Sequence, residues 1–232
     1  AIKEAIKKNR DLEFILVGDK SIDYLKQPRV GIEYASEVIT GEDALRQIIK
    51  KLPESSTYLA AELVKDGKAD IGLSFGNTQA VGPAVIKNLE PLNGLKKIPL
   101  AVAVPSTKEG KYTPTIFLDI GGTGLDDISP WNLLEFGILG KYHAKQMGIK
   151  NPKLALLSNG EEKTKGTRLT REAYSLYKKY AFKTKSFDYV GFCEPESALV
   201  GGKNKPDVVV SDGYVGNLII KALGGFYSLY RE

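Results

Sequence analysis

Residues 207–217 read Asp-Val-Val-Val-Ser-Asp-Gly-Tyr-Val-Gly-Asn, an apolar run that ends in glycines and short polar side chains. The run predicts a strand over 207–211, and the apolar residues that follow at helical spacing predict a helix over 214–230. A strand that leads through a Gly-rich turn into a helix is the repeating unit of α/β proteins. This stretch therefore indicates the fold class that the rest of the chain has to match.

The same alternation continues along the rest of the chain. Apolar runs predict further strands at 12–17, 30–35, 69–75, 98–104, 115–120, 153–157 and 187–192. Helical spacing of apolar residues predicts helices at 1–8, 21–26, 42–52, 55–65, 78–89, 130–147 and 169–180. Continuously apolar strands between helices favour a mostly parallel sheet that helices sandwich on both faces. We therefore expect a single three-layer α/β domain over 1–232. The stretch 108–113 is explained equally well as a soft domain boundary or as an antiparallel hairpin.

Composition excludes several classes of function. The 232 residues include 33 Lys and Arg against 28 Asp and Glu, a net charge of +5, with one Cys and one His. Such a chain holds no internal disulfide and no Cys- or His-rich metal site, so we expect no metal and no cofactor. Its basic residues are scattered among acidic ones, which disfavours nucleic acid as a partner. No apolar run approaches the roughly 18 residues of a membrane span, and we expect a cytoplasmic protein.

Four loops at predicted strand ends mix glycine with short polar side chains. They are 76–80, 119–124, 158–166 and 211–217. Glycine lets the backbone approach a ligand closely, and the first turn of a following helix offers free N–H donors. Each loop taken alone is explained equally well as a turn or a helix cap. Four of them at the strand ends of one α/β protein favour a site for an anion such as phosphate.

These loops carry a resemblance to the bacterial PlsX family of phosphate acyltransferases. The matching stretches run in order through nearly the whole chain: 16–19, 55–56, 63–70, 74–80, 118–121, 160–162, 165–166 and 207–217, followed by Lys221. The last stretch is the most specific match. The resemblance implies a fold like that of PlsX and isocitrate dehydrogenase.

The resemblance also implies a reaction and its partners. Members move a fatty acyl group from acyl carrier protein onto inorganic phosphate, giving acyl phosphate for phospholipid synthesis, and they are homodimers. Thioesters are already electrophilic, so the reaction needs positioned donors and a cation rather than an activated Ser or Cys. By this resemblance Lys165, Asn217 and Asp212 are the expected catalytic residues. The expected substrate-binding residues are Gly76, Asn77, Thr78, Asp119, Gly121, Gly166, Gly213, Gly216 and Lys221.

Departures from the family pattern leave alternatives open. Gly122 and Thr123 stand where the family has Ala-Asn, and Phe192 stands where it has Asn. The family begins with a further strand and Gly-rich loop and ends with a helical hairpin that touches the membrane, so we expect 1–232 to be a fragment or a processed product. The alternatives are a catalytically reduced module that binds an anion or a partner, and an acetyl-phosphate-forming enzyme resembling the glycine reductase component.

Three further side chains have a structural and a functional interpretation. Cys193 is expected to be an inert buried residue, the alternative being a thioester-forming nucleophile. His143 is expected on the surface of the helix over 130–147 rather than in a site. For Asp119, capping of the Gly-rich turn that follows competes equally with contact to substrate.

Overall fold

The computed structural model describes residues 2–95, 97–123, 128–184 and 188–230. It divides into two compact units, Ala1–Gly94 and Leu95–Glu232, which we describe separately. Compact units of this size can be parts of one domain or domains in their own right, so the single domain expected over 1–232 stays a prediction.

The first unit contains a two-stranded parallel sheet and several short helices. Its strands are β1 (Phe14–Gly18) and β2 (Val30–Tyr34), with Phe14 opposite Val30. Its α-helices are α1 (Ile2–Lys8), α2 (Leu45–Lys51), α3 (Ser56–Lys65) and α4 (Thr78–Leu89), and 3-10 turns cover Lys20–Leu25 and Leu52–Glu54. A small core joins α2, α3 and α4 through Ile48, Leu52, Ala61, Ala80 and Ala84.

The strand predicted at 69–75 is not formed, and this prediction is wrong. Among residues 2–95, 71–75 belong to no strand or helix, and the sheet of this unit consists of β1 and β2. The apolar side chains of the segment are exposed, Ile71 by 82%, Leu73 by 74% and Phe75 by 94%. A strand requires a neighbour for its backbone N–H and C=O groups, and the apolar pattern alone does not supply one.

The second unit is built on a five-stranded sheet of order β3-β6-β10-β7-β8. These strands are β3 (Ala101–Val104), β6 (Thr115–Leu118), β7 (Lys153–Leu157), β8 (Asp188–Cys193) and β10 (Val208–Val210). All neighbours are parallel except β3, which is antiparallel to β6. The short strands β4 (Thr107–Lys108), β5 (Lys111–Tyr112) and β9 (Val200–Gly201) form a second sheet, in which β4 and β5 form the antiparallel hairpin that is one of the two interpretations of 108–113.

Helices cover both faces of the five-stranded sheet. They are α5 (Pro130–Gln146), α6 (Arg168–Thr184), α7 (Pro195–Leu199) and α8 (Gly213–Leu229). Ile116 and Leu118 of β6 share one core with residues of α5 and α6. Phe117, which lies between them, shares the opposite core with residues of α7 and α8. Alternate side chains of one strand thus enter two cores, which confirms the predicted three-layer α/β fold.

The position of β10 places three of the predicted loops side by side. Val208 pairs with Ile116 of β6 on one side and with Leu154 of β7 on the other. Because the three strands are parallel, their carboxyl ends lie at the same edge of the sheet. The loops 119–123, 158–166 and 211–217 therefore leave this edge from adjacent strands.

Candidate functional site

The first turn of α8 follows β10 and offers backbone donors at the sheet edge. Asp212 caps the helix, and its carboxylate accepts a hydrogen bond from the backbone N–H of Val215 at 2.9 Å. Capping orders the turn, and the N-terminal N–H groups of a 17-residue helix carry the positive end of its dipole. Asp212 thus orders the turn that carries these donors, and its expected role in orienting a cation or a hydrogen-bond donor at a substrate stays a prediction.

Asp119 organises the loop that follows β6. Its backbone adopts φ 65°, uncommon for a residue with a side chain, and the residue is fully buried. The carboxylate accepts hydrogen bonds from the N–H groups of Gly122 at 2.9 Å and Thr123 at 3.1 Å, and from the Thr123 hydroxyl. Burial raises the pKa of this carboxyl, while these hydrogen bonds act in the opposite direction. The carboxylate is thus engaged within its own loop, as the capping interpretation expects.

Two glycines of α8 allow this loop and the helix to pack closely. A Cβ on Gly213 would lie 2.5 Å from the Thr123 carbonyl oxygen and 3.1 Å from both Asp119 carboxylate oxygens. A Cβ on Gly216 would lie 2.1 Å from the Asp119 carbonyl oxygen. The contacts at 2.5 Å and 2.1 Å are too short for a Cβ atom, so a larger residue at either position would require the backbone to move. The first turn of α8 therefore rests directly on the Asp119 loop.

Asn217 lies against Gly121 at this junction. Gly121 adopts φ 119°, and a Cβ built on it would be 3.5 Å from the amide nitrogen of Asn217. Asn217 is partly exposed, as is Asp212, whereas Gly121 is exposed. An amide that can donate two hydrogen bonds therefore stands at the surface of the junction. Lys221, one turn further along α8, is exposed.

The loop after β7 brings a lysine to the same edge. Gly166 adopts φ 81°, and its N–H donates to the side chain of Asn159 at 3.0 Å, which closes the loop. A Cβ on Gly166 would lie 2.4 Å from the Thr170 hydroxyl, so the turn into α6 requires glycine. Lys165 is exposed, and its aliphatic stem packs on Gly160. This arrangement leaves a cation at the start of a 17-residue helix.

The fourth loop belongs to the first unit. Asn77 caps α4, its side chain accepting from the N–H of Gln79 at 2.9 Å and donating to the Thr40 carbonyl oxygen at 2.9 Å. The N–H of Gly76 donates to the Ser74 hydroxyl at 3.1 Å, and Thr78 is exposed. These three residues form an ordered helix start. Their contact with substrate stays a prediction.

Sequence reasoning missed Ser211 and Thr123 as parts of the site. The Ser211 hydroxyl donates to the Asp119 carbonyl oxygen at 3.1 Å and connects the ends of β10 and β6. Thr123 donates to the Asp119 carboxylate. The only signal in the sequence was their place within the two Gly-rich loops. Ser211 finds its partner on the neighbouring loop and Thr123 finds it within its own loop, and composition indicates neither contact.

The described residues offer this edge donors and a cation but no activated nucleophile. Cys193 is 3% exposed, and burial, with a smaller contribution from Glu161, raises the pKa of its thiol to about 12. His143 is exposed on α5. No three His, Cys, Asp or Glu side chains cluster as metal ligands in the described ranges, and none of the described helices is long and apolar enough to cross a membrane. N–H groups, an amide and an ammonium are donors suited to an oxyanion, and its binding here stays a prediction.

Comparisons with known proteins agree on family and fold. The chain matches the family described as "Fatty acid synthesis protein" over residues 1–232. It is 37% identical over 226 residues to the phosphate acyltransferase of Staphylococcus epidermidis, covering 97% of this chain and 66% of that protein. The enzyme of the same name from Staphylococcus haemolyticus is also 37% identical, with 97% and 65% covered. The chain thus spans slightly less than two thirds of the length of these curated relatives.

Two solved structures share the fold at low sequence identity. A phosphotransacetylase from Streptococcus pyogenes aligns with a TM-score of 0.64 at 15% identity, covering 94% of this chain and 75% of that one. The EutD phosphotransacetylase from Staphylococcus aureus aligns with a TM-score of 0.54 at 14% identity, covering 97% and 86%. The fold therefore defines an α/β protein with the architecture of the phosphotransacetylases.

Sequence similarity makes the assignment more specific than the fold does. The chain belongs to the fatty acid synthesis protein family, and the resemblance to PlsX phosphate acyltransferases is confirmed.

Proposed function

We propose that the protein transfers a fatty acyl group from the thioester of acyl carrier protein to inorganic phosphate, giving acyl phosphate for phospholipid synthesis. The observation that carries this proposal is the packing of the Asp119 loop against the first turn of α8, beside the loop that bears Lys165. The curated relatives named phosphate acyltransferase support the same reaction class.

The reaction needs placement more than activation. A phosphate oxygen forms a bond to the thioester carbonyl carbon, and the carbonyl oxygen becomes an oxyanion. The carbon–sulfur bond then breaks, and the thiolate that leaves takes a proton from water. Phosphate is itself the nucleophile, which agrees with a site that lacks a reactive thiol in the described residues. Hydrogen-bond donors in fixed positions and a cation stabilise the oxyanion.

Four residues of the sheet edge have a stated role in this proposal. Lys165 places a positive charge on phosphate or on the oxyanion, and Asn217 donates to a reacting oxygen. Asp212 and Asp119 act as positioning residues, the first by capping α8 and the second by ordering its own loop. Gly76, Asn77 and Thr78 belong to the other unit, and their role as substrate contacts rests on the family resemblance alone.

The proposal is tested by thiol release from a fatty-acyl carrier protein thioester as a function of added phosphate. We expect release that depends on phosphate, with about 100-fold loss in kcat/KM for Lys165→Ala. Asn217→Asp preserves the packing on Gly121 but removes the amide donors, and a similar loss is expected. Lys163→Ala is the matched control, since Lys163 is an exposed lysine of the same loop, and its rate should stay within about twofold.

The outcomes separate the candidate functions. A folded protein that releases no thiol at any phosphate concentration contradicts the transferase. Binding of inorganic phosphate without release would favour the binding module that lacks turnover. The homodimer and the cytoplasmic location that the resemblance implies form part of this proposal. Sedimentation of the purified protein and fractionation of cells test them.

A further inference from the structure

One face of α6 is strongly basic. The helix carries Arg168, Arg171, Lys178, Lys179 and Lys183 at spacings that place them on one side, all exposed, and Glu172 is its only acidic residue. We call these five side chains the α6 basic face. The chain as a whole has a net charge of only +5, so much of its positive excess is concentrated here.

Contacts within the protein engage part of this face. Arg168 pairs with Glu172 at 2.7 Å, and Arg171 donates to the Gly166 carbonyl oxygen at 2.5 Å. The ammonium of Lys178 stands 5.2 Å from the centre of the Tyr174 ring. Lys179 and Lys183 extend the face toward the C-terminal end of the helix. The exposed Arg168–Glu172 pair contributes little to stability, so Arg168 is held only weakly within the protein.

The α6 basic face begins beside the candidate site. The helix starts two residues after Gly166, in the loop that carries Lys165. At about 1.5 Å per residue, its 17 residues extend about 25 Å from that loop. A bound macromolecule on this face would therefore have one end next to Lys165.

The chemistry of α6 favours an acidic protein over a membrane or a nucleic acid. A helix that lies on a membrane inserts its apolar face, but here Ala173 and Tyr177 are fully buried in the core. Two of the aromatic rings that the structure describes on α6 are engaged internally, with Tyr174 5.6 Å and Tyr177 4.8 Å from the ring of Tyr189, so neither is free to stack on bases. Most of the exposed side chains that the structure describes on α6 are charged, and charge complementarity steers protein partners.

We propose that the α6 basic face is the docking surface for the acidic surface of the thioester-bearing carrier protein. This inference rests on the proposed function, because the carrier is its acyl donor. Docking along α6 orients the carrier so that its thioester arm reaches the loop of Lys165. The interaction lowers KM for the carrier and weakens with salt, since the Debye length is about 8 Å at physiological ionic strength.

The test measures the Kd of the whole protein for acyl carrier protein by fluorescence anisotropy at low and physiological salt. The triple variant Lys178→Glu, Lys179→Glu, Lys183→Glu is expected to bind about tenfold more weakly and to lose most of the salt dependence. The matched control is Lys3→Glu, Lys7→Glu, Lys8→Glu, which reverses three exposed lysines of α1 and should change Kd less than twofold. The triple variant Lys178→Gln, Lys179→Gln, Lys183→Gln keeps the helix and should bind the carrier protein about threefold more weakly.

Other outcomes overturn the docking surface or the reaction separately. An unchanged Kd in a folded α6 triple variant refutes the docking surface. So does a variant that loses binding to phosphatidylglycerol vesicles while it still binds carrier protein normally. Thiol release from a small fatty-acyl thioester should be unaffected by the triple substitution. If the unmodified protein binds the carrier through α6 but releases no thiol with phosphate, the proposed transferase fails and the docking surface stands.

Discussion

In the unit 95–232, the loops that leave β6 and β10 are packed against each other, and the loop after β7 leaves the adjacent strand. In the unit 1–94, the loop before α4 follows a segment that joins no sheet among residues 2–95. Both units contain a Gly-rich loop at a helix start, and both helix starts are capped by a polar side chain, Asp212 in one and Asn77 in the other.

The difference lies in what supports each loop. Beneath the first turn of α8 lies a buried carboxylate whose hydrogen bonds fix the neighbouring loop. Before α4, the apolar residues Ile71, Leu73 and Phe75 are exposed. A capped helix start is therefore a local property, whereas a preorganised site depends on the strands and loops packed around it.

The largest effect is expected from Gly216→Ala in the packed unit. The added Cβ would stand 2.1 Å from the Asp119 carbonyl oxygen and 2.5 Å from the Ser211 hydroxyl, so the junction has to open. We expect a loss of about 3 kcal/mol in the free energy of unfolding, measured by urea denaturation. Gly224→Ala on the same helix is the control, because its Cβ meets nothing within 4 Å and should stabilise by about 0.5 kcal/mol. Equal effects would show that the junction is not tightly packed.

A smaller, pH-dependent effect is expected from Asp119→Asn. The amide retains one acceptor oxygen for three donors. At pH 4 we therefore expect the free energy of unfolding to fall by about 1–2 kcal/mol. Burial raises the folded-state pKa of the carboxyl above its unfolded value of about 3.9. The native state therefore binds this proton more tightly than the unfolded state does. The stability that protonation of Asp119 contributes is lost as pH rises through the folded-state pKa.

The variant has no carboxyl to titrate at this position. The amount by which its unfolding free energy falls below that of the unmodified protein should therefore decrease from pH 4 to pH 7. Urea titrations at several pH values measure the difference in unfolding free energy. A deficit that widens as pH rises would contradict the assigned direction. In a Thr123→Val background the deficit at pH 4 should shrink, since the hydroxyl donor is gone.

The smallest effect is expected in the open segment of the other unit. Ile71→Ser, Leu73→Ser and Phe75→Ser each replace an exposed apolar side chain, so each should change the unfolding free energy of the 232-residue chain by less than about 0.5 kcal/mol. Ile48→Ala, at a fully buried position of the same unit, should cost about 3 kcal/mol. A serine variant as costly as Ile48→Ala would show that the segment is packed, and the contrast between the units would fail.

Local signals in the sequence predicted most of the elements. The helix expected at 78–89 is formed as Thr78–Leu89, since Asn77 provides its cap and apolar spacing its length. The strand expected at 153–157 is formed as Lys153–Leu157. The parallel order of the sheet follows from the same alternation of apolar strands and helices. The cap and the apolar spacing that predict each element lie within that element or next to it in the sequence.

The contacts that shape the candidate site are not local. Gly216 is required by the carbonyl of Asp119, a residue far earlier in the chain, and the sequence shows only a glycine inside a helix. The Asp119 side chain is directed into its own loop by the donors at Gly122 and Thr123, whereas the sequence alone predicts capping and substrate contact equally. Whether an apolar run at 69–75 becomes a strand depends on a neighbouring strand, which no property of the run itself determines.

The central place of β10 has a consequence for the order of assembly. β6 and β7 are not hydrogen-bonded to each other, and Val208–Val210 joins them from a position about 90 residues after β6. During synthesis the facing edges of the two earlier strands keep unpaired N–H and C=O groups until β10 has left the ribosome. We therefore expect closure of this sheet to come late, and the nascent chain to be most prone to aggregate before it.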